Sequence, residues 1–129
     1  MRFLLLRYKK DPLSEDSGLD IGVLVQDGKQ ILFDYTKEVD NIKKYDSNVD
    51  EFLINSLDST IKSLISEKKM YVSSPSGAMI QTTPQDVEFL EDLKRSYQGK
   101  IQFSKIREVN YPTAKEALKE LFNQYVVKQ

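Results

Sequence analysis

The chain has no histidine and no cysteine among its 129 residues. Without cysteine it can form no disulfide bond, use no thiol nucleophile and build no thiolate metal site. Without histidine, the Ser-His and Cys-His catalytic pairs and most zinc sites are excluded as well. Carboxylates, lysine, tyrosine, serine and threonine remain for any chemistry. Whether the protein is an enzyme stays open on this basis, and the balance favours a non-enzymatic role without a cofactor.

Strong net charge and long apolar runs are also missing. Nineteen basic and 20 acidic residues give a net charge of −1, which creates no overall field to attract nucleic acid or an anionic membrane. The apolar run 3–6 ends at Arg7 and is too short for a signal peptide or a membrane span. We therefore expect a cytoplasmic protein with no membrane partner. Length and composition suit one globular domain over 1–129.

Residues 19–36 contain two β-rich runs joined at Asp27-Gly28. Asp-Gly between apolar runs predicts a hairpin with a type I′ turn, because both residues tolerate positive φ. With that loop, Leu24 is expected opposite Ile31. Both faces of the hairpin are apolar, which predicts that it lies inside a sheet covered on both sides. Alternation places Leu24, Ile31, Phe33 and Tyr35 on one face, and Leu19, Ile21, Val23, Val25 and Leu32 on the other.

The rest of the chain reads as a mixture of strands and helices. Apolar residues that recur at intervals of three and four residues predict a helix over 49–69. Its buried stripe is predicted to include Phe52, and its N-cap to be Ser47 or Asn48. Together the patterns predict an α+β fold, an antiparallel-rich sheet around the central hairpin with two to three packed helices. Further predicted elements are strands at 3–8, 70–73, 78–82 and 101–107, and a short helix or turn in 37–47. A helix at 84–97 is predicted with Thr83 as its N-cap, and a helix from 113 onward with Thr113 and Glu116 as its capping box.

The densest basic cluster is Arg7-Tyr8-Lys9-Lys10. A tyrosine among cations can stack on a base while its neighbours contact phosphate, so this cluster, together with Arg107, is a candidate nucleic-acid or nucleotide site. The competing interpretation is a strand end whose charges are simply hydrated. We favour that interpretation, because no recognised nucleic-acid motif surrounds the cluster and the chain is slightly acidic.

Asp20 and Asp34 are the candidate metal ligands. Two carboxylates near one hairpin could bind Mg²⁺ for hydrolysis. In the predicted register, however, the two side chains point to opposite faces of the sheet. The sequence therefore argues against one shared ion.

The last predicted helix carries Phe122, Tyr125 and Val126 on its apolar face. These residues could extend an apolar surface toward a partner protein. The alternative, which we favour, is that the face closes the protein's own core.

Several blocks of the sequence resemble a small bacterial family, catalogued as domain of unknown function 3037. The order of Arg7-Tyr8, Asp11-Pro12 and Asp20-Ile21-Gly22-Val23 is similar to the opening of that family. The segment 74–84 is similar to its Pro-Arg-Ser-Thr-x-x-Gln-Pro-Ser-Pro run, and 121–126 to its closing Leu-Phe-x-x-x-Val. The resemblance implies no established activity. Members of the family are often encoded beside HipA-like kinases, which implies a small accessory protein with such a kinase as partner.

The expected function is therefore a non-enzymatic protein-binding or accessory module of a bacterial or phage regulatory or defence system, of the toxin–antitoxin kind. Nucleic-acid or nucleotide binding through the basic cluster is the first alternative. Metal-dependent hydrolysis at the two aspartates is the second.

Overall fold

The computed structural model describes residues 1–13, 18–27, 30–36, 39–67, 70–73, 79–82 and 87–126. Within them the fold is α+β, as the sequence predicts. The strands are β1 (Arg2–Tyr8), β2 (Leu19–Asp27), β3 (Gln30–Tyr35), β4 (Met70–Ser73), β5 (Met79–Thr82), β6 (Ile101–Phe103) and β7 (Arg107–Glu108). The helices are α1 (Val39–Tyr45), α2 (Glu51–Glu67), α3 (Val87–Ser96) and α4 (Ala114–Tyr125).

The main sheet is antiparallel and has the strand order β3-β2-β1-β6, with β7 pairing the start of β1. Strand β1 is central, and its residues 3–6 are buried without interruption. Such a run suits a strand covered on both faces. Strands β4 and β5 form a separate two-stranded sheet. The predicted strands at 70–73 and 78–82 are thus confirmed, and the turn between them lies outside the described residues.

Helices cover both faces of the main sheet. Helices α1, α2 and α3 pack on one face, here called the three-helix face, and α4 packs on the other, the α4 face. The core on the three-helix face contains Leu4, Leu6, Tyr8, Ile21, Leu24, Ile31, Ile42, Ile54, Ile61, Leu90, Leu93, Ile101 and Phe103. The core on the α4 face contains Phe3, Leu5, Val23, Val25, Ala114, Ala117, Leu121 and Val126.

The β2–β3 hairpin forms in a register two residues away from the predicted one. Asp27 is the last residue of β2 and pairs with Gln30, so the predicted loop at Asp27-Gly28 is wrong, and the residues between this pair, 28–29, lie outside the described residues. Leu24 consequently lies opposite Phe33, and the predicted pairing of Leu24 with Ile31 is wrong. Because side chains alternate with a period of two, this shift changes partners and leaves most face assignments intact.

A β-bulge at Ile21 reverses the face assignment at the start of β2. Leu6 pairs with Gly22 while Arg7 pairs with Asp20, so Ile21 has no partner of its own on β1. One extra residue turns the preceding side chains to the other face. Ile21 therefore packs in the three-helix core, and Leu19 packs against it, which corrects the prediction that both share a face with Val23.

The position of β3 also differs from the expectation. Strand β2 lies inside the sheet as predicted, but β3 pairs with β2 alone among the described strands and forms one edge. Both of its faces are nevertheless covered, because β3 contacts α2 on one side and α4 on the other. Apolar residues on both faces of β3 thus reflect the two helical layers and do not indicate an interior strand.

Helix starts agree with the sequence at α4 and differ at α2. The Thr113 hydroxyl accepts the backbone N–H of Glu116 at 3.1 Å, which confirms the predicted cap of α4. At α2 the cap is Asp50, whose carboxylate accepts the N–H of Phe52 at 2.9 Å, and the prediction of Ser47 or Asn48 is wrong. The Phe52 side chain is 76% exposed, outside the buried stripe, whereas Ile54 is 1% exposed. The predicted cap of α3 lies outside the described residues.

Candidate functional site

A buried polar contact joins the end of β1 to the turn between α1 and α2. The hydroxyl of Tyr8, a fully buried residue, donates to Asp46 Oδ2 at 2.7 Å. Asp46 is 2% exposed, and its other carboxylate oxygen accepts the N–H of Asn48 at 3.0 Å. Lys100 Nζ lies 4.0 Å from Asp46 Oδ2, and the Tyr45 ring meets the Tyr8 ring edge to face. A buried carboxylate satisfied in this way fixes the α1–α2 turn against the sheet.

The electrostatics of this pair argue against acid–base catalysis. The hydrogen bond from Tyr8, the N–H of Asn48 and the nearby Lys100 lower the pKa of Asp46 below its ordinary value. Burial, then the hydrogen bond to Asp46, raises the pKa of Tyr8 well above its ordinary value. A carboxylate with a lowered pKa is a weak base near neutral pH, and a phenol with a raised pKa is a weak acid. The Tyr8–Asp46 hydrogen bond therefore serves to hold the α1–α2 turn against β1.

The predicted basic cluster is divided in the structure. Arg7 points to the α4 face, where its Nε lies 2.9 Å from Asp20 Oδ1. Tyr8 is fully buried, so its ring is not available to stack on a base in this conformation. Lys10 is exposed just beyond the end of β1. Arg107 pairs with Phe3, near the opposite end of β1 and about 17 Å from Tyr8 along the strand. Its guanidinium donates to Tyr125 Oη at 3.4 Å.

A different lysine comes close to the remaining basic residues. The N–H of Lys9 donates to the carbonyl oxygen of Lys100 at 2.6 Å, and the charges of both Lys10 and Lys100 act on Asp46. Lys9, Lys10 and Lys100 therefore gather at one corner of the sheet, here called the lysine corner. Sequence reasoning missed Lys100, because only the β1–β6 pairing brings its turn beside residue 9.

The two candidate metal ligands share a face, contrary to the prediction. The bulge at Ile21 turns Asp20 to the α4 face, where strand alternation also places Asp34. Each carboxylate already has a partner, since Asp20 pairs with Arg7 and Asp34 Oδ1 accepts the N–H of Tyr35 at 2.9 Å. Across the described part of the chain, no three acidic side chains come together as a metal site would require. Metal-dependent hydrolysis stays a prediction.

The residues proposed as a partner interface on α4 contribute to the core. Val126 is 3% exposed, and Phe122 and Tyr125 are half-buried against the α4-face core. The ring of Tyr125 lies 6.2 Å from that of Phe3. Much of the apolar surface of these three residues thus packs against the protein's own core.

The outer edge of β3 is the strongest candidate binding element. The N–H of Thr36 donates to the carbonyl oxygen of Ile21 at 2.7 Å, so Thr36 faces β2. Backbone direction alternates along a strand, and the N–H and C=O groups of Ile31, Phe33 and Tyr35 therefore face away from β2. Asp34 already accepts the outward N–H of Tyr35. Among the described residues, none pairs with the outward groups of Ile31 and Phe33.

Apolar side chains border this edge on the three-helix face. The rings of Phe33 and Tyr35 stack with centroids 6.2 Å apart and planes 7° from parallel, and both residues are half-buried. Helix α2 contacts β3, and its Leu53 is half-buried on the same core. Phe52, next in sequence to Leu53, is largely exposed. A strand edge beside a helix with apolar side chains is one arrangement that binds extended peptides.

Compared with models of protein families, with curated proteins and with solved structures, the chain matches none significantly. The resemblance to domain of unknown function 3037 therefore stays a prediction. Within the described ranges, no helix has the length and apolarity that crossing a bilayer requires. The class of protein that the structure defines is an α+β domain with an antiparallel sheet between two helical layers.

Proposed function

We propose that the chain is a non-enzymatic protein-binding module, and that its binding element is the outer edge of β3. The observation that supports this most directly is the pair of residues, Ile31 and Phe33, whose outward backbone groups have no partner among the described residues. A partner that contributes an extended segment would continue the sheet by one strand. This is strand addition, a common mode of peptide recognition.

The side chains around the edge decide which segments fit. Four backbone hydrogen bonds of about 0.5–1.5 kcal/mol each would contribute roughly 2–6 kcal/mol in total. Association costs about 4–15 kcal/mol, so these bonds alone would not hold a partner. The segment must also bury apolar side chains against Phe33 and Tyr35 on the three-helix face. It must lack proline where its N–H groups meet Ile31 and Phe33.

The resemblance supports the biological setting of this proposal. It implies an accessory protein of a bacterial or phage regulatory system, with a HipA-like kinase encoded nearby as the first partner to test. The experiment co-expresses the tagged chain with each protein encoded beside its gene and measures the mass of the purified complex by light scattering. A stoichiometric complex is the expected result for the wild-type chain.

A matched pair of variants locates the binding surface. Phe33→Ala and Phe33→Pro both remove the ring, but only proline also removes the outward N–H. We expect the complex to survive Phe33→Ala with reduced affinity and to disappear with Phe33→Pro. A complex that tolerates both variants equally would move the interface away from β3. If no neighbouring protein forms a complex, the proposal is wrong.

Anion binding at the lysine corner is a second candidate, favoured by the proximity of Lys9, Lys10 and Lys100. It predicts that a fluorescent single-stranded oligonucleotide binds with an affinity that falls steeply with salt. Lys10→Ala with Lys100→Ala should weaken that binding. Lys115→Ala with Lys119→Ala, which removes two exposed charges from α4, is the matched control. Equal loss in both double variants would indicate non-specific attraction only.

A further inference from the structure

We propose that the strand which adds to β3 in the absence of another partner is β3 of a second copy of this chain. The two strands would run antiparallel, related by a two-fold axis that passes beside Leu32. This inference rests on the proposed function, because the same edge would receive the partner's segment. The self-paired form would then be the state that a partner must displace.

The backbone groups on the edge determine the register. Ile31 and Phe33 have both outward groups without a described partner, and the two residues lie symmetrically about Leu32. A two-fold axis at Leu32 places Ile31 of each copy opposite Phe33 of the other, so two such pairs form. The two N–H and two C=O groups of each copy are then all paired, and four hydrogen bonds form. An axis at Phe33 would instead bring Tyr35 into the pairing, in competition with its N–H bond to Asp34.

The side chains are compatible with this register on both faces. On the three-helix face, Ile31 of each copy adjoins Phe33 of the other, which joins two apolar side chains. On the α4 face Leu32 meets Leu32, and Gln30 lies opposite Asp34, so a neutral amide donor faces a carboxylate. Asp34 is the only charged residue in β3, and the register places no two like charges opposite each other. The edge is thus complementary to itself in hydrogen bonding, apolarity and charge.

An engineered disulfide tests the register directly. The chain contains no cysteine, so Leu32→Cys would carry the only thiol. Residues at the axis form a pair without mutual hydrogen bonds, with Cα atoms about 4.5 Å apart, which a disulfide can span. In Phe33→Cys the two thiols would sit on Cα atoms about 9 Å apart, beyond that reach. After mild oxidation we expect a covalent dimer from Leu32→Cys and none from Phe33→Cys.

A charge test uses an exposed position that leaves the core unchanged. Gln30→Glu would place glutamate opposite Asp34 of the second copy at two points, so sedimentation should show self-association weakened about three- to tenfold. Gln30→Lys should strengthen it by a similar factor. Adding Asp34→Asn to Gln30→Glu removes one charge of each pair and should restore the wild-type association. Urea unfolding of each variant controls for the neighbouring Asp27, which faces residue 30 within the hairpin.

The outcomes separate this inference from the proposed function. A wild-type chain that sediments as a monomer at about 100 μM would overturn the self-pairing, and so would equal cross-linking of the Leu32→Cys and Phe33→Cys variants. If such a monomer still forms a Phe33→Pro-sensitive complex with a neighbouring protein, the proposed function stands alone. A symmetric dimer that binds no neighbouring protein would support the self-pairing and contradict the proposed hetero-partner.

Discussion

The two edges of the main sheet differ in how completely they are closed. The β6–β7 edge consists of strands of three and two residues, with an interruption at 104–106. Gln98 bridges to Gln102 there, and the exposed residues of β7 are Arg107 and Glu108. The β3 edge is six residues long, uninterrupted, and carries one charge. Short, interrupted and charged edges resist pairing with other strands, whereas long apolar edges invite it.

Tertiary contacts reinforce the same difference. On the β6 side, the N–H of Lys9 and the N–H of Leu5 each reach a partner beyond β1, namely the Lys100 carbonyl and the Ser104 hydroxyl. At β3, the contact that caps the edge is the one from the Tyr35 N–H to the Asp34 carboxylate. These contacts hold the interrupted β6–β7 strands to β1, and the Gln98–Gln102 bridge covers part of their outer side, whereas Ile31 and Phe33 of β3 have outward backbone groups without a described partner.

The largest effect on stability should come from proline at Leu32, whose backbone N–H faces β2, in comparison with proline at Phe33, whose N–H faces outward. Leu32 faces β2, so Leu32→Pro removes an internal sheet hydrogen bond and should lower the free energy of unfolding by about 3 kcal/mol or more. Compared with Phe33→Ala, Phe33→Pro removes in addition only an outward donor, so the unfolding free energies of these two variants should agree within about 1 kcal/mol. Urea denaturation measures both. If the two proline variants are equally unstable, Phe33 does not face outward.

Tyr8→Phe tests the buried hydrogen bond between Tyr8 and Asp46. It leaves one oxygen of the buried Asp46 carboxylate without its donor, and should destabilise the protein by about 1–3 kcal/mol. Tyr125→Phe is the control, since the Tyr125 hydroxyl accepts a long, exposed bond of 3.4 Å from Arg107. A smaller loss in Tyr8→Phe than in Tyr125→Phe would contradict the assignment.

The Tyr8→Phe variant should also change the pH dependence of the free energy of unfolding. Because the folded pKa of Asp46 lies below its ordinary 3.8, its contribution is present above pH 3.8 and is lost as the pH falls through the folded value. The raised pKa of Tyr8 likewise predicts falling stability above pH 10.0, where the unfolded tyrosine ionises first. Unfolding measured from pH 2 to 7 should show the gap between wild type and Tyr8→Phe narrowing at acid pH. A constant gap would remove Asp46 from the explanation.

Ser104→Ala should have a moderate effect on the closed edge. The Ser104 hydroxyl accepts the buried N–H of Leu5 at 2.8 Å, and its loss should cost about 1–2 kcal/mol. Amide exchange of Leu5 should accelerate at the same time. Ser104→Thr keeps the hydroxyl and serves as the control. Unchanged amide exchange at Leu5 in Ser104→Ala would show that another group accepts the Leu5 N–H.

The smallest effect is expected at Phe52. Its side chain is 76% exposed, so Phe52→Ser should change the unfolding free energy by no more than about 0.5 kcal/mol. Ile54→Val, at a buried position on the same helix, should cost about 0.5–1.5 kcal/mol. The reverse order of the two would mean that Phe52 belongs to the core, as the sequence pattern predicted.

Local sequence signals predicted the elements well where one short stretch contains all the information. The apolar runs on both sides of Asp27-Gly28 identified the hairpin but misplaced its loop, and Thr113 with Glu116 identified the start of α4. The candidate site was less predictable. Nothing near Tyr8 in the sequence indicates Asp46, 38 residues away, as the acceptor of its hydroxyl. The lysine corner likewise depends on a strand pairing between distant segments.

By itself, the sequence determined the α+β class, most of the elements, and the exclusion of histidine and cysteine chemistry, because these depend on composition and on periodicities of two and 3.6 residues. The tertiary structure decided the rest. A bulge at Ile21 turned Asp20 to the face of Asp34, and a two-residue register shift changed the partners of β3. Among the described strands, the strand order placed β3 at an edge, which no local pattern encodes, because strand order depends on how distant segments pair.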